Sequence, residues 1–168
     1  NIALHIAEEF TVELQKRKTG VLADTITACY KKLANKKNLI QKIVMDPRSL
    51  DIAYLDDLGK NVSKDSLSAG EKQLMVIAIL WALAICSKKK LPVIIDTPLS
   101  RLDSMHRTSL VTTYFPQASE QTIILSTDSE IDHTYYNMMK ESVGDEFTLS
   151  YSEETKSTTI LKGYFQDK

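Results

Sequence analysis

Apolar residues recur at every fourth position from the start of the chain: Ile2, Ile6, Phe10 and Leu14, with charged residues between them. That spacing predicts an amphipathic helix over residues 1–18. Leu22, Ile26, Cys29, Tyr30 and Leu33 continue a helical stripe as far as the polar run Asn35-Lys36-Lys37-Asn38, with Gly20 a candidate break between the two. The first part also fits the last turns of a coiled coil, although so few heptads do not establish one. Residues 39–45 are rich in β-formers, Asp46-Pro47-Arg48-Ser49 is a turn signal, and Leu50-Asp51-Ile52-Ala53-Tyr54-Leu55 follows, which predicts a hairpin. Residues 56–66, with Gly59, read as a polar loop.

The pattern then changes. In Leu67-Ser68-Ala69-Gly70-Glu71-Lys72-Gln73, Ser68 and Glu71 have the spacing of a capping box. Gly70 would occupy the second helical position, where glycine is a poor helix former. It is useful there if a group must approach the backbone closely, and a helix N-terminus attracts phosphate. The plainer reading is an ordinary cap with an incidental glycine. Residues 74–85 are apolar on every side, so this helix is expected to be buried all round. Lys88-Lys89-Lys90 would close it at the negative end of its dipole; the same triplet is a candidate DNA contact.

Leu91-Pro92-Val93-Ile94-Ile95-Asp96 is a continuous apolar strand ending in a carboxylate, residues 103–114 favour helix, and Gln121-Thr122-Ile123-Ile124-Leu125-Ser126 is a second apolar strand. Such an order implies a parallel pair joined by a right-handed crossover, hence an α/β fold. Ligands in these sheets bind beyond the carboxyl ends of the strands, so Asp96, Thr97, Ser126, Thr127 and Asp128 should share one rim. A further helix is expected over about residues 131–140 and a terminal hairpin from the alternation of Phe147, Leu149 and Tyr151. Tyr135 and Tyr136 fit packing against the sheet better than stacking on bases.

Composition narrows the function classes. The 168 residues are 43% hydrophobic and 26% charged, as in a single globular domain, and the net charge of -1 supplies no electrostatic footprint for nucleic acid or anionic membrane. Cys29 and Cys86 lie among apolar neighbours and read as buried free thiols. His5, His106 and His133 lack the spacing of a zinc site. The apolar run from Leu74 to Cys86 is shorter than the roughly 20 residues of a membrane span, and no signal peptide is apparent, so a cytoplasmic protein without membrane contact is expected. A chain that starts mid-pattern and without methionine is expected to be a fragment.

An aspartate at the end of an apolar strand is where nucleotide hydrolases hold Mg²⁺, so Asp96 is the candidate metal residue; the alternative is an aspartate that caps the next turn. Taken with the stretch from Leu67 to Gln73 and with Ser100-Arg101-Leu102-Asp103, it resembles a known family. Leu-Ser-Ala-Gly-Glu-Lys-Gln resembles the signature motif of ABC-type ATPase heads, Val93-Ile94-Ile95-Asp96 the Walker B strand, and Ser100 to Asp103 the D-loop. Order and spacing resemble the C-terminal lobe of an SMC-like head. More narrowly, residues 80–84, 91–107 and 114–131 and the terminal Gly163-Tyr164-Phe165 are similar to the DndD family, the SMC-like ATPases of bacterial DNA phosphorothioation.

The resemblance implies a helical segment over 1–35, possible end of a coiled coil, and a head lobe over 36–168 with a parallel β-α-β core flanked by helices and hairpins. It implies ATP and Mg²⁺ as cofactors, with Ser68, Ala69, Gly70, Glu71, Ser100 and Asp103 on the nucleotide side of a head homodimer. Partners would be an N-terminal P-loop lobe, DNA and other DNA sulfur-modification proteins. The sequence contains no G-x-x-x-x-G-K-[ST], so the isolated chain is expected to be inactive until that lobe completes it. Two positions depart from most ABC-type heads: Thr97 stands where a glutamate usually follows the Walker B aspartate, and Thr127 where a histidine is usual. Neither threonine is a general base near neutral pH, so the water-activating group is unassigned; Asp128, on the same rim, is a candidate. Rival readings are an SMC-like ATPase of DNA repair or phage defence, and an ATP-gated DNA clamp that hydrolyses little.

Overall fold

In the computed structural model, the described residues are 2–34, 39–87, 89 and 91–165. The polar run Asn35-Lys36-Lys37-Asn38, and Lys88 and Lys90 of the lysine triplet, lie outside them. A single helix, α1 (Ile2–Leu33), replaces the two expected segments and runs through Gly20 without a break. Thr19 lies beside that glycine, and its hydroxyl donates back to the carbonyls of Gln15 and Lys16. The first half of α1 leaves Ile2, Leu4, Ile6, Phe10, Val12 and Leu14 exposed, while Ala23, Ile26, Cys29, Tyr30 and Leu33 are buried.

The expected hairpin is β1 (Lys42–Met45) paired antiparallel with β2 (Ile52–Leu55). Asp46 Oδ1 accepts from the amides of Arg48 and Ser49, which closes the turn. Residues read as polar loop contribute a third short strand, β3 (Asn61–Val62), on the β2 edge. Its brevity gives no period-2 signal to find in sequence.

Helix α2 (Ala69–Ser87) packs against α1. Leu74, Met75, Ile77, Ala78, Trp81 and Ala82 form its buried face. The expectation of burial all round is not met. Val76, Leu80, Leu83 and Ile85 are exposed, because none of the described residues covers the far side of the helix. At 19 residues and mean hydropathy 1.6, α2 is long and apolar enough to cross a membrane by length and composition. Its first turn nevertheless carries Glu71, and its inner face is the centre of the core. Trp81 anchors that face: its Nε1 donates to the Gln117 carbonyl at 3.2 Å and its ring meets Tyr114 edge-on, centroids 5.4 Å apart. Trp81→Ala is expected to lower the unfolding free energy by about 3–5 kcal/mol, read from the midpoint of a urea titration.

β4 (Val93–Asp96) and β5 (Thr122–Leu125) form the expected parallel pair, with Ile94 opposite Ile123 and Asp96 opposite Leu125. Between them come α3 (Ser104–Ser109) and one π-helical turn, Leu110–Tyr114, which buries Leu110, Val111 and Tyr114. Side chains alternate across a sheet, so Ile95 and Ile124 turn towards the core while Ile94, Ile123 and Leu125 are exposed on the other face. α4 (His133–Met139) precedes the terminal hairpin, β6 (Phe147–Ser152) with β7 (Ser157–Lys162). Both cysteines are free; Cys29 is buried and Cys86 half-buried. Tyr136 packs internally, stacked on Tyr164 with centroids 6.0 Å apart, and its hydroxyl donates to Glu146.

Candidate functional site at the strand ends

The rim forms where two strands stop at the same level. After β4 the chain turns at Thr97, whose amide donates to the Leu125 carbonyl at 2.9 Å. Thr97 adopts φ +44°, a left-handed conformation that a β-branched residue rarely takes. Backbone strain of this kind concentrates at functional sites. Asp96 shares the uncovered face with Ile94, Ile123 and Leu125, since it is two residues beyond Ile94 and paired with Leu125. Its carboxylate is exposed and, among the described residues, has neither a hydrogen-bond nor an ion-pair partner. It does not cap the following turn, which was the alternative reading. A free carboxylate at a strand end suits a Mg²⁺ held directly or through water.

Ser68 and Glu71 make the expected capping box. The Ser68 amide donates to Glu71 Oε2 at 2.8 Å and the Glu71 amide to Ser68 Oγ at 3.2 Å. Ser68 and Ala69 are exposed. A methyl group added at Gly70 would lie 3.4 Å from the Arg101 carbonyl oxygen and 3.6 Å from Leu102, which is ordinary van der Waals contact. Packing within this chain therefore does not require glycine at that position. The helix start nonetheless lies against the loop after β4, and Gln73 Nε2 fastens it there by donating to the Pro98 carbonyl at 2.9 Å.

The remaining residues singled out above fall on the same two loops. Ser100 Oγ donates to the Thr97 carbonyl at 3.4 Å. Asp103 is the N-cap of α3: Oδ1 accepts from the His106 amide, and Oδ2 lies 2.9 Å from His106 Nδ1. Chiefly through the amide bond, this holds the Asp103 carboxyl below its ordinary value. Thr127 Oγ1 lies 3.0 Å from Ser129 Oγ, and Asp128 lines an open hollow with Ser129, Asp132, His133 and Phe165.

Three side chains tie the rim together through contacts that the sequence does not show, although each stands in a stretch that carried the resemblance. Gln73 is one. Glu130 is buried at 8% exposure and accepts from the Leu99 amide at 2.5 Å, across 31 residues of chain. Tyr164, near the C-terminus, donates its hydroxyl proton to the Thr127 carbonyl at 2.8 Å. Its oxygen therefore accepts from Ser126 Oγ, also at 2.8 Å. Burial pushes the Tyr164 phenol above its ordinary range, which keeps that proton in place. Only tertiary contact brings these residues to the rim.

The arrangement has the fold of SMC ATPase heads. One chain from a structural study of ATP-driven dimerization and DNA-stimulated activation of SMC ATPases superposes with TM-score 0.65 at 12% identity, covering 90% of this chain and 88% of its own. The SMC head domain from Thermotoga maritima matches with TM-score 0.56 at 13% identity, over 92% of this chain and 52% of that one. A Pyrococcus furiosus Smc head with an extended coiled coil, bound to the C-terminal domain of ScpA, matches with TM-score 0.61 at 16% identity, over 92% of this chain and 39% of that one. No family model and no curated protein sequence matches the chain. The class is thus an SMC-type head fold, with a parallel β-α-β core, flanking helices and hairpins.

Proposed function

We propose that this chain is the C-terminal lobe of an SMC-like ATPase head whose ATP-dependent engagement and hydrolysis serve DNA phosphorothioation. The observation that carries the reading is Asp96, a carboxylate without a partner among the described residues, on an exposed apolar sheet face beside a helix start fastened to the same loop. An apolar face ending in a free carboxylate asks for two things, a covering layer and a cation. A P-loop lobe, preceding in the chain or separate, supplies the layer over Ile94, Ile123 and Leu125 and over the exposed stripe of α2. The exposed first half of α1 is then the end of a coiled coil leading to that lobe.

In this reading Asp96 would hold Mg²⁺, and the metal, when bound, would supply positive charge beside the phosphate being transferred. Ser68 Oγ and the Gly70 amide, at the positive end of the α2 dipole, face the γ-phosphate bound by the opposite head. Thr97 orients water through a neutral hydroxyl, Asp128 is the candidate base, and Ser100, Asp103 and Thr127 shape the loops around them. The protein acts on DNA in the cytoplasm with other sulfur-modification proteins. The motif strings over 91–107 and 114–131 favour this assignment over an SMC-like ATPase of repair or phage defence.

The 168-residue chain alone is expected neither to hydrolyse ATP nor to bind it tightly, since backbone amides and the lysine of a P-loop are what grip the phosphates. Adding the P-loop lobe should restore both, as followed by phosphate release and nucleotide titration. Robust turnover by the isolated chain overturns the reading of a half-site. Deletion of the gene should abolish phosphorothioate dinucleotides in digested host DNA, measured by mass spectrometry; unchanged levels exclude the sulfur-modification assignment.

A further inference from the structure

We propose that Glu130 is a positioning residue that locks the loop after β4 to the loop after β5, and so sets Asp96 and Thr97 against Thr127 and Asp128. The inference rests on the ATPase reading above. Two loops at the ends of neighbouring strands are held at their roots by the ladder, here by the Thr97 amide on the Leu125 carbonyl. Beyond that point each is free to move unless a side chain spans the gap. Glu130 spans it. Its carboxylate, on a buried residue, accepts from the amide of Leu99, which is itself fully buried.

The backbone of Glu130 is fixed at the other end. Its amide donates to the Thr127 carbonyl at 3.1 Å and lies 3.3 Å from Thr127 Oγ1. The same carbonyl receives Tyr164 and the Ile131 amide. One residue therefore grips the turn bearing Thr127 with its main chain and the turn bearing Thr97 with its side chain. Gln73 extends the connection from Pro98 to α2, one residue before Leu99. A continuous hydrogen-bonded path thus joins the helix start proposed to meet the opposite head to the rim proposed to hold Asp96. A carboxylate strengthens such a bond because its acceptor is ionised, and among the described residues no cation is paired with Glu130 to compete for it.

The loops bear groups for the reaction step, whereas the phosphate grip lies in the other lobe. Loosening the lock should accordingly lower kcat and leave KM for ATP nearly unchanged. In the complete head, Glu130→Ala is expected to reduce kcat about 10- to 100-fold, the usual effect of misplacing catalytic groups by an ångström. Glu130→Gln retains an oxygen able to accept from Leu99 and should stay within about threefold of the parent, since one neutral hydrogen bond replaces one charge-assisted bond. Glu130→Asp keeps the charge but shortens the arm, and should behave as the alanine variant does; it supplies the same test if alanine does not fold.

Rates are taken per folded head, counted by tight nucleotide titration. A kcat per folded head equal to the parent in both short variants, with only thermal stability lowered, overturns the positioning role. So does a glutamine variant as slow as alanine, because it assigns the effect to charge and not to the span. A parent head with no turnover at all overturns the ATPase reading instead, which keeps the two failures apart.

Discussion

Asp96→Asn in a complete head is expected to slow single-turnover ATP hydrolysis by about two to three orders of magnitude, the loss that follows from removing one preorganised electrostatic contact worth roughly 3–4 kcal/mol. Thr97→Ala should slow it by no more than about tenfold. The two residues are adjacent, yet their environments differ. Asp96 faces outward with a free carboxylate on the uncovered sheet face. Asparagine keeps its shape and removes its charge, so the proposed Mg²⁺ would lose the group that attracts it. Thr97 offers a neutral hydroxyl, and a hydrogen bond of that kind contributes about 0.5–1.5 kcal/mol, with each 1.4 kcal/mol a decade in rate.

The left-handed backbone at Thr97 adds a control. Thr97→Gly removes the hydroxyl as alanine does and also releases the strain that φ +44° imposes on a side-chain-bearing residue. If the hydroxyl is what matters, glycine and alanine slow turnover alike. Single-turnover rates at saturating ATP and Mg²⁺ decide, because product release does not enter them. Equal losses for Asp96→Asn and Thr97→Ala would give Thr97 a chemical role beyond orienting water.

Loss of the ATP-dependent dimer is the second large effect, and it is expected for Ser68→Arg with nucleotide binding intact. Ser68 is exposed at the start of α2, so a bulky side chain meets little within its own chain and would obstruct the proposed partner head. The arginine also removes the capping oxygen that receives the Glu71 amide, at a cost of about 0.5–2 kcal/mol of helix stability. Ser68→Asp separates the two consequences: aspartate caps a helix as well as serine does, but its charge repels a phosphate brought within contact distance. Both variants should remain monomeric by light scattering when ATP is added to heads that hydrolyse too slowly to release it. Dimers that persist in both would remove Ser68 and Gly70 from the interface.

The exposed stripe of α2 and the exposed face of β4 and β5 have one physical explanation. A helix of mean hydropathy 1.6 with Val76, Leu80 and Leu83 bare presents an apolar stripe of the kind that packs against another layer. Large exposed apolar areas rimmed by polar residues mark sites of association. The polar rim here is the strand-end site itself, with Asp96 at its border. Under the proposed function, nucleotide chemistry and lobe assembly would meet along one edge of this fold.

Local elements of this chain follow from short-range rules. The capping box at Ser68 and Glu71, the Asp46 turn, the apolar strands and the alternating terminal hairpin each depend on residues within a few positions of one another, and each formed as their spacing implied. Parallel pairing was accessible too, because two apolar strands separated by a helix have few other ways to bury themselves. Where spacing misled, the cause was a neighbour distant in sequence or outside the chain. Gly20 does not break α1, because one interior glycine costs a helix only about 1 kcal/mol, which a 32-residue helix packed along its second half outweighs. α2 is buried on one face only, since apolarity along a helix records which side chains could be buried and only tertiary packing decides which of them are. Glu130 reaching Leu99, Gln73 reaching Pro98 and Tyr164 reaching Thr127 span 31, 25 and 37 residues. Bonds of that length leave no periodicity along the chain; they exist because folding brings the ends of β4 and β5 level and closes the core beneath them.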